Sequence, residues 1–347
     1  MSSPQKLSFT FFLLCSSILL TVRVAITAGI RHHGQHRQAV KKLFVFGDSY
    51  VDTGNNRKSL GSSWKDPYGI TFPGKPAGRF SDGRVFTDFL GSWRKYSPKK
   101  LKYGMNFAFG GTGVFDTSAP YPNMTTQIDF FRQLVNENLF SAYYVKTSVA
   151  LVSLAGNDYA AYLARGGSPQ GLQTFITQVV NQLALDIQRI HSLGVRKIAV
   201  TALEPLGCLP SRTVTNGFQQ CNSTFNQGVS FHNLLLQQGL AKLNNQIHDH
   251  RPSPFMILDL YNAFLSAFKQ KGAHSGSAAF SNPLKPCCMG VNQNYSCGNV
   301  DAKGKKMYTV CQDPKSAFFW DSVHPTQAGW NAVSLALQPS IQELHST

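Results

Sequence analysis

The sequence LFVFGDSY at residues 43–50 joins a short apolar run to a turn that carries a carboxylate and a hydroxyl. An uninterrupted run of large apolar residues is typical of a strand that is buried on both faces of a parallel sheet. Gly47 ends the run, and a glycine at that point indicates a tight turn. A serine on such a turn can present its hydroxyl above the sheet. We therefore predict a buried strand that delivers Ser49 as a candidate nucleophile.

Similar apolar runs recur along the chain and predict further strands of the same sheet. Segments with apolar residues at helical spacing separate them, and each run ends in small or polar residues. The strands are expected at 103–109, 149–154, 196–203 and 255–260, and the helices at 127–139, 172–190, 236–247 and 327–337. This alternation predicts an α/β fold in one domain, with a parallel sheet covered by helices on both faces. In such folds the ligand site lies beyond the carboxyl ends of the strands.

Two further motifs could complete a hydrolytic site. The sequence DSVHP places Asp321 three residues before His324. The carboxylate can then hold the imidazole Nδ1–H and leave Nε2 to accept a serine proton. The alternative interpretation is a surface turn with a solvated histidine. The glycines that begin at Gly110, and Asn157 after the third predicted strand, could donate hydrogen bonds to an oxyanion.

These blocks together resemble those of the plant GDSL esterases/lipases, a branch of the SGNH hydrolases. They occur in the family order between about residue 43 and residue 340, which is nearly the whole chain after its first segment. Each block alone is weak evidence, but the set is specific. It consists of FVFGDSYVDTGNN at 44–56, GRFSDGR at 78–84, NFAFGG at 106–111, GNDY at 156–159 and DSVHPT at 321–326.

The resemblance implies a fold and a set of site residues. The fold is a three-layer α/β/α sandwich with a five-stranded parallel sheet, the flavodoxin-like SGNH hydrolase fold. Ser49 matches the family nucleophile, and Asp321 and His324 match the orienting acid and the base. Gly110 and Asn157 match the oxyanion-hole donors, joined by the backbone N–H of Ser49. The family is typically free of metal, and we expect neither a metal nor another cofactor here.

Three positions depart from the family pattern. Tyr50 stands where the family usually has leucine, which predicts a narrower cleft beside the nucleophile. Ala155 replaces a glycine two residues before the expected oxyanion-hole asparagine. The stretch 91–102 is shorter than is usual in the family, which indicates either a trimmed substrate loop or an incomplete gene model that lacks a packed element.

The first residues of the chain are typical of a secretory signal peptide. The uncharged stretch 7–22 follows Lys6, and it is shorter than the roughly 20 residues that a membrane-spanning helix needs. We predict a signal peptide at 1–28, a flexible basic leader at 29–42 and one hydrolase domain at 43–347. A short membrane anchor is the alternative. No other apolar run approaches spanning length, so we expect an extracellular protein of the apoplast or cell wall without stable membrane insertion.

The cysteines and the glycosylation sequons agree with export. An even number of cysteines remains after the predicted signal peptide, which suggests up to three disulfides, although their spacing does not decide the pairing. We expect Cys208 to pair with Cys221, and the other four to pair among themselves: Cys287, Cys288, Cys297 and Cys311. A zinc site is disfavoured because the spacings fit no zinc finger. The sequons at Asn123, Asn222 and Asn294 predict N-linked glycans.

The composition limits the function classes further. The chain has 347 residues with 42% apolar residues, which excludes a disordered protein. Its formal net charge of +16 favours contact with an anionic partner such as an acidic cell-wall polymer. No nucleic-acid motif accompanies the charge, so we expect no nucleic-acid partner.

The leading hypothesis is a secreted serine esterase or lipase that hydrolyses carboxylic esters of lipids, small molecules or polysaccharides through a Ser49 acyl-enzyme. Two alternatives remain open at this stage. An acyltransferase would use the same acyl-enzyme and pass the acyl group to an acceptor hydroxyl. A catalytically inactive glycoprotein would only bind wall polymer.

Overall fold

A five-stranded parallel sheet organises the protein, whose structure is a computed structural model that describes residues 42–90, 103–154, 156–247, 253–269 and 280–345. The order across the sheet is β2-β1-β3-β4-β5, which places β1 between β2 and β3. Its strands are β1 (Leu43–Gly47), β2 (Gly104–Asn106), β3 (Val149–Ser153), β4 (Lys197–Thr201) and β5 (Phe255–Leu258). Each strand lies in a segment where the sequence predicts one, and the predicted fold class is confirmed.

Helices cover the sheet and connect its strands. They are α1 (Phe86–Leu90), α2 (Met124–Asn136), α3 (Ala142–Lys146), α4 (Gly156–Ala164), α5 (Pro169–Ser192), α6 (Pro210–Thr213), α7 (Ser223–Gln246), α8 (Leu260–Lys269), α9 (Gln327–Ala336) and α10 (Gln338–His345). Short 3₁₀ turns occur at Ser62–Trp64, Leu206–Cys208, Val214–Asn216 and Pro314–Ser316.

The apolar residues of β1 pack into two separate hydrophobic cores, one on each face of the sheet. Because successive side chains of a strand point to opposite faces, Phe44 and Phe46 enter the core shared with α2, α5 and α7. Leu43 and Val45 enter the core shared with α1, α8, α9 and α10. All four side chains are fully or almost fully buried. Burial on both faces explains why this strand is apolar without alternation, and it fixes the position of the turn that follows.

The predicted helix at 172–190 is confirmed and is longer than its apolar stripe. Ser168 caps its amino end by accepting a hydrogen bond from the Gly171 N–H, and Pro169 occupies the first turn, where its missing N–H costs nothing. Gly194 follows the last turn with a positive φ of 107°, as expected for a helix stop. The predicted helices at 127–139, 236–247 and 327–337 correspond to α2, α7 and α9.

A small antiparallel hairpin, which the sequence analysis does not predict, carries two of the disulfides. Its strands are β6 (Cys288–Gly290) and β7 (Tyr308–Val310). Cys287 is bonded to Cys311 and its neighbour Cys288 to Cys297, while Cys208 pairs with Cys221 as expected. The hairpin also braces the chain before Asp321, because the Cys287 and Cys288 amides donate to the carbonyls of Phe319 and Trp320.

Several expectations fall outside the described residues. These are the signal peptide at 1–28, the leader at 29–42 except its last residue, the short stretch 91–102 and the effect of Ala155. Within the described ranges, no helix has both the length and the hydropathy needed to cross a membrane.

A buried histidine of α7, His232, contacts α4 and gives the stability of the protein a defined pH dependence. The Tyr159 hydroxyl lies 2.6 Å from His232 Nδ1, and burial lowers the pKa of His232 to about 3 from its ordinary value of 6.5. Below pH 6.5 the unfolded chain therefore binds a proton that the folded protein rejects until about pH 3. The neutral, buried state of His232 therefore contributes fully to the free energy of unfolding above pH 6.5. The contribution is lost as the pH falls from 6.5 to about 3.

We expect His232→Asn, which keeps a hydrogen-bonding atom near the Nδ1 position, to flatten the acid limb of the stability curve. The slope between pH 6.5 and pH 4 should fall by up to about 1 kcal/mol per pH unit. Urea unfolding of both proteins at four pH values measures this difference, and the remaining titratable groups are common to both. Equal slopes would show that His232 takes up its proton alike in both states.

Candidate active site

Ser49 lies on the turn that follows β1, with its side chain against His324. The Ser49 Oγ is 2.8 Å from His324 Nε2. The turn is helical, because the amides of Val51 and Asp52 both donate to the Asp48 carbonyl. Gly47 allows the chain to pass close to β3, since a Cβ there would lie 2.1 Å from the Ser153 carbonyl oxygen. The predicted strand and turn therefore deliver the serine hydroxyl to the carboxyl edge of the sheet.

Asp321 holds the other side of the imidazole. Its two carboxylate oxygens each lie 2.9 Å from His324 Nδ1. Asp321 Oδ1 also accepts from the backbone amides of Val323 and His324, at 2.9 and 2.8 Å. Burial by itself would raise the pKa of Asp321, but the charge of His324 and these hydrogen bonds outweigh it and lower the pKa. The carboxylate therefore stays ionised and orients the ring so that Nε2 faces Ser49.

Tyr68 is a further contact of this carboxylate that the sequence analysis misses. Its hydroxyl donates to Asp321 Oδ2 at 2.7 Å, and its ring is buried against Phe80 and Trp320. Tyr68 and Asp321 are 253 positions apart in the chain, so their spacing gives no signal of the contact.

The amide of Gly110, which the sequence predicts as an oxyanion donor, is hydrogen-bonded to two side chains. That N–H already donates to Asp52 Oδ2 at 3.0 Å and to Asn56 Oδ1 at 2.9 Å. The neighbouring amide of Gly111 has no acceptor within the described part of the chain, and neither has that of Ser49. Gly111 has a φ of 88°, a conformation that favours glycine. Among the described residues, the amides of Ser49 and Gly111 therefore lack an acceptor, whereas that of Gly110 has two.

Asn157 lies in the first turn of α4, where its side chain is partly exposed. Its Nδ2 donates to the Thr112 carbonyl at 3.0 Å and weakly to Asp48 Oδ2 at 3.4 Å. The next residue, Asp158, anchors this turn by accepting from the amides of Val114 and Phe115, both at 2.9 Å. Burial raises the pKa of Asp158 to about 6. Both hydrogens of the Asn157 amide are thus engaged, and the longer bond to Asp48 is the weaker of the two.

A cavity of about 130 Å³ opens beside Ser49 and Asn157. Two buried carboxyl groups face it, those of Asp48 and Glu204. Burial raises the pKa of Asp48 well above its usual value and that of Glu204 to about 7. Glu204 directly follows the strand predicted at 196–203, and its position in the sequence gave no signal of a role in the site. Ser211 and Arg212 are further polar residues of the lining. The other lining residues are mainly apolar: Tyr50, Gly156, Tyr159, Ala160, Leu163, Leu206, Leu209, Phe225 and Val323.

The three sequon asparagines are not among the residues that line this cavity. Asn123 caps α2 and Asn222 caps α7, each accepting a backbone hydrogen bond through its side-chain oxygen. Asn294 is exposed in the loop between β6 and β7. Asn123 also donates its amide to Asp116 at 2.8 Å, so Asn294 is the least engaged of the three side chains.

A parallel α/β sheet with a hydrogen-bonded serine, histidine and aspartate at its carboxyl edge defines the class of serine hydrolases. The profile of the GDSL-like lipase/acylhydrolase family matches residues 43–337, and this chain belongs to that family. It is 53% identical to GDSL esterase/lipase At5g03610 of Arabidopsis thaliana, over 98% of each chain. It is also 53% identical to GDSL esterase/lipase At3g09930 of the same plant, over 90% of this chain and 92% of that one. The resemblance deduced from the sequence blocks is confirmed, and the protein is a carboxylic ester hydrolase.

Proposed function

We propose that the protein is a secreted esterase or lipase that works through an acyl-enzyme on Ser49. The observation that carries this proposal is the unbroken hydrogen-bonded row from Ser49 Oγ to His324 Nε2 at 2.8 Å, and from His324 Nδ1 to Asp321 at 2.9 Å. A serine hydroxyl is a weak nucleophile until a base accepts its proton. His324 lies within reach of that proton, and Asp321 stabilises the imidazolium that forms.

The first half of the reaction forms the acyl-enzyme. Ser49 Oγ bonds to the ester carbonyl carbon while its proton moves to His324 Nε2, and the carbonyl oxygen becomes an oxyanion. The bond to the leaving oxygen then breaks, and that oxygen takes the proton from Nε2 and departs as an alcohol. In the second half, water repeats the attack on the acyl carbon with His324 again as base. The carboxylic acid leaves and Ser49 recovers its proton.

Three donors are available to the oxyanion. We assign this role to the backbone amides of Ser49 and Gly111 and to Asn157 Nδ2. The two amides have no acceptor in the described part of the chain, and Asn157 lines the cavity beside Ser49. Donors held in place before the reaction stabilise developing charge without reorganisation, and each typically contributes about 3 kcal/mol to the transition state.

Secretion is supported by the sequence and by the covalent structure. A short apolar run follows Lys6 at the start of the chain, and three disulfides join all six cysteines that follow residue 41. Disulfides form and persist in oxidising compartments. We therefore propose cleavage of a signal peptide near Ala28 and release of the folded domain to the cell exterior.

Labelling with a fluorophosphonate tests the nucleophile directly. This reagent phosphonylates a serine that an adjacent base activates, so the intact secreted protein should gain one adduct on the peptide that contains Ser49. Prior incubation with a 4-nitrophenyl ester should delay the labelling, because the acyl-enzyme occupies the same oxygen. Labelling at another residue, or none in a folded protein that shows no hydrolysis, would refute the proposal. Adding an alcohol to the assay and analysing the products separates hydrolysis from acyl transfer.

A further inference from the structure

The turn that carries Ser49 also carries Asp52, a buried carboxylate that has no part in the reaction described above. Asp52 lies three residues after Ser49, in the same helical turn, and its side chain is fully buried. Its Oδ1 accepts from the amides of Gly54 and Asn55 at 2.7 and 2.8 Å. Its Oδ2 accepts from the Gly110 N–H at 3.0 Å. One side chain therefore joins the turn of the nucleophile to the glycines that follow β2.

Asn56 contacts both polar groups of the same glycine. Its Oδ1 accepts from the Gly110 N–H at 2.9 Å, and its Nδ2 donates to the Gly110 carbonyl at 3.3 Å. The Asn56 side chain is buried, and its own carbonyl accepts from the Trp64 indole N–H at 2.8 Å. The backbone of Gly110 is thus fixed from one side by two side chains of the segment that follows the nucleophile.

Fixing the Gly110 carbonyl also fixes the direction of the next amide. The Gly110 carbonyl and the Gly111 N–H belong to one planar trans peptide unit, in which the two groups point in opposite directions. Because Asn56 Nδ2 binds the carbonyl, the Gly111 N–H points away from Asn56. Asn56 therefore determines where this N–H is aimed, although it does not contact it.

The residue after Gly111 is bonded to the other end of the nucleophile segment. The Thr112 hydroxyl donates to the Gly47 carbonyl at 3.1 Å, and the Thr112 carbonyl accepts from Asn157 Nδ2 at 3.0 Å. Gly111 thus lies between two residues that are both hydrogen-bonded to the segment 47–52. Its amide is held relative to that segment and to the Asn157 side chain.

We propose that Asp52 and Asn56 are positioning residues of the oxyanion hole, which aim the Gly111 N–H at the oxygen that becomes negative when Ser49 attacks the ester. The inference rests on the proposed acyl-enzyme at Ser49. Oxyanion donors stabilise charge because they stand in place before the reaction, so an error in the direction of one N–H loses part of its contribution. Neither Asp52 nor Asn56 is among the residues that line the cavity beside Ser49, so their effect passes through Gly111.

The charge of Asp52 strengthens its bonds to the backbone. Burial raises the pKa of Asp52 to about 6, and the amides that bind its ionised form oppose a larger rise. At pH 8 the carboxyl is therefore ionised, and hydrogen bonds to an ionised acceptor are stronger than neutral ones. Asp52→Asn offers a single acceptor oxygen to amides that now bind two, so part of this connection must break.

The test replaces the carbonyl oxygen of the ester by sulfur. Sulfur is a weak hydrogen-bond acceptor, so a thionoester gains little from the oxyanion donors. The ratio of kcat/KM for 4-nitrophenyl butanoate to kcat/KM for O-(4-nitrophenyl) thionobutanoate therefore reports how well these donors are aimed. Asp52→Asn and Asn56→Ala should each lower the wild-type ratio at pH 8 by about tenfold, since complete removal of one donor costs about 10²–10³ in rate.

Ile187→Ala separates aiming from general stability. Ile187 is fully buried in α5, in the hydrophobic core, and it forms no part of the connection between Asp52 and Gly111. Its truncation should lower the melting temperature and leave the ratio at the wild-type value. A loss of folding stability alone therefore does not imitate the expected result.

The outcomes distinguish this inference from the proposed function. Ser49-dependent hydrolysis with an unchanged ratio in both Asp52→Asn and Asn56→Ala overturns the positioning role and leaves the esterase intact. An equal fall of the ratio in Ile187→Ala overturns it as well, and so does a wild-type ratio no higher than that of the uncatalysed reactions. A folded wild-type protein that hydrolyses neither ester and resists fluorophosphonate overturns the esterase itself. If Asp52→Asn does not fold, Asn56→Ala decides.

Discussion

Ser49→Ala should lower kcat/KM for short 4-nitrophenyl esters by a factor of about 10⁴ or more, with the folding of the protein unchanged. The methyl group cannot attack an ester, and among the residues that the structure describes only the Ser49 hydroxyl is hydrogen-bonded to His324 Nε2. The side chain is small and lies at a cavity, so its loss leaves no void in either core. The residual rate reports what the oxyanion donors and substrate binding contribute without a nucleophile.

Ser230→Ala is a suitable control for this variant. Ser230 is exposed on α7, where its hydroxyl bonds only to the Asn226 carbonyl of the same helix. This change should leave both kcat/KM and the melting temperature near the wild-type values. Wild-type turnover by Ser49→Ala, together with an unchanged melting curve, would exclude the acyl-enzyme on this residue.

Asp321→Asn should cost nearly as much, with kcat reduced by about 10⁴-fold. An amide offers one acceptor oxygen, whereas the carboxylate of Asp321 serves two backbone amides, the Tyr68 hydroxyl and His324 Nδ1. The –NH₂ group would also favour the tautomer of His324 that carries its proton on Nε2, which cannot accept from Ser49. The loss should appear mainly in kcat, because the acid does not contact the substrate.

Two further variants show whether this loss is specific. Tyr68→Phe removes one hydrogen bond from the carboxylate and should reduce kcat by about tenfold, the value expected for a bond to a charged group. Asp116→Asn, an equivalent change at an exposed carboxylate that accepts from Asn123, should have no effect. Steady-state kinetics with a chain-matched series of esters measures all three. Equal losses for Tyr68→Phe and Asp116→Asn would mean that the Tyr68 contact does not support catalysis.

The sheet could be predicted from the sequence because its strands are buried on both faces. In β1, β3 and β4 every residue is buried, so the apolar runs are dense and end sharply at glycine or polar residues. The segment 288–310 gave no comparable signal. Its strands are three residues long, and they are stabilised by disulfides whose pairing no apolar pattern shows. The hairpin is stabilised by disulfides and not by a run of buried apolar residues, and such a run is the feature by which the other strands can be predicted from the sequence.

The site was predictable only where its residues are neighbours in the chain. Asp321 and His324 meet across one turn, and Ser49 follows a strand, so local rules identify them. Tyr68 and Glu204 reach the site through the tertiary fold, and spacing does not show this. The hydrogen bonds of Gly110 were unpredictable for a related reason, since its N–H donates to Asp52 and Asn56 and neither contact follows from the glycine motif. A motif shows which donors and acceptors the chain contains. Only the structure shows which of them already have a hydrogen-bond partner within the protein.

The two disulfides beside the β6–β7 hairpin connect the cysteines to the acid of the candidate site. The backbone amides of Cys287 and Cys288 donate to the carbonyls of Phe319 and Trp320, directly before Asp321, and each cysteine is bonded to a separate partner. Opening these disulfides would remove a constraint on the backbone that presents Asp321 to His324. We therefore expect a thiol reductant that opens both of them to slow ester hydrolysis while Ser49 itself stays chemically intact.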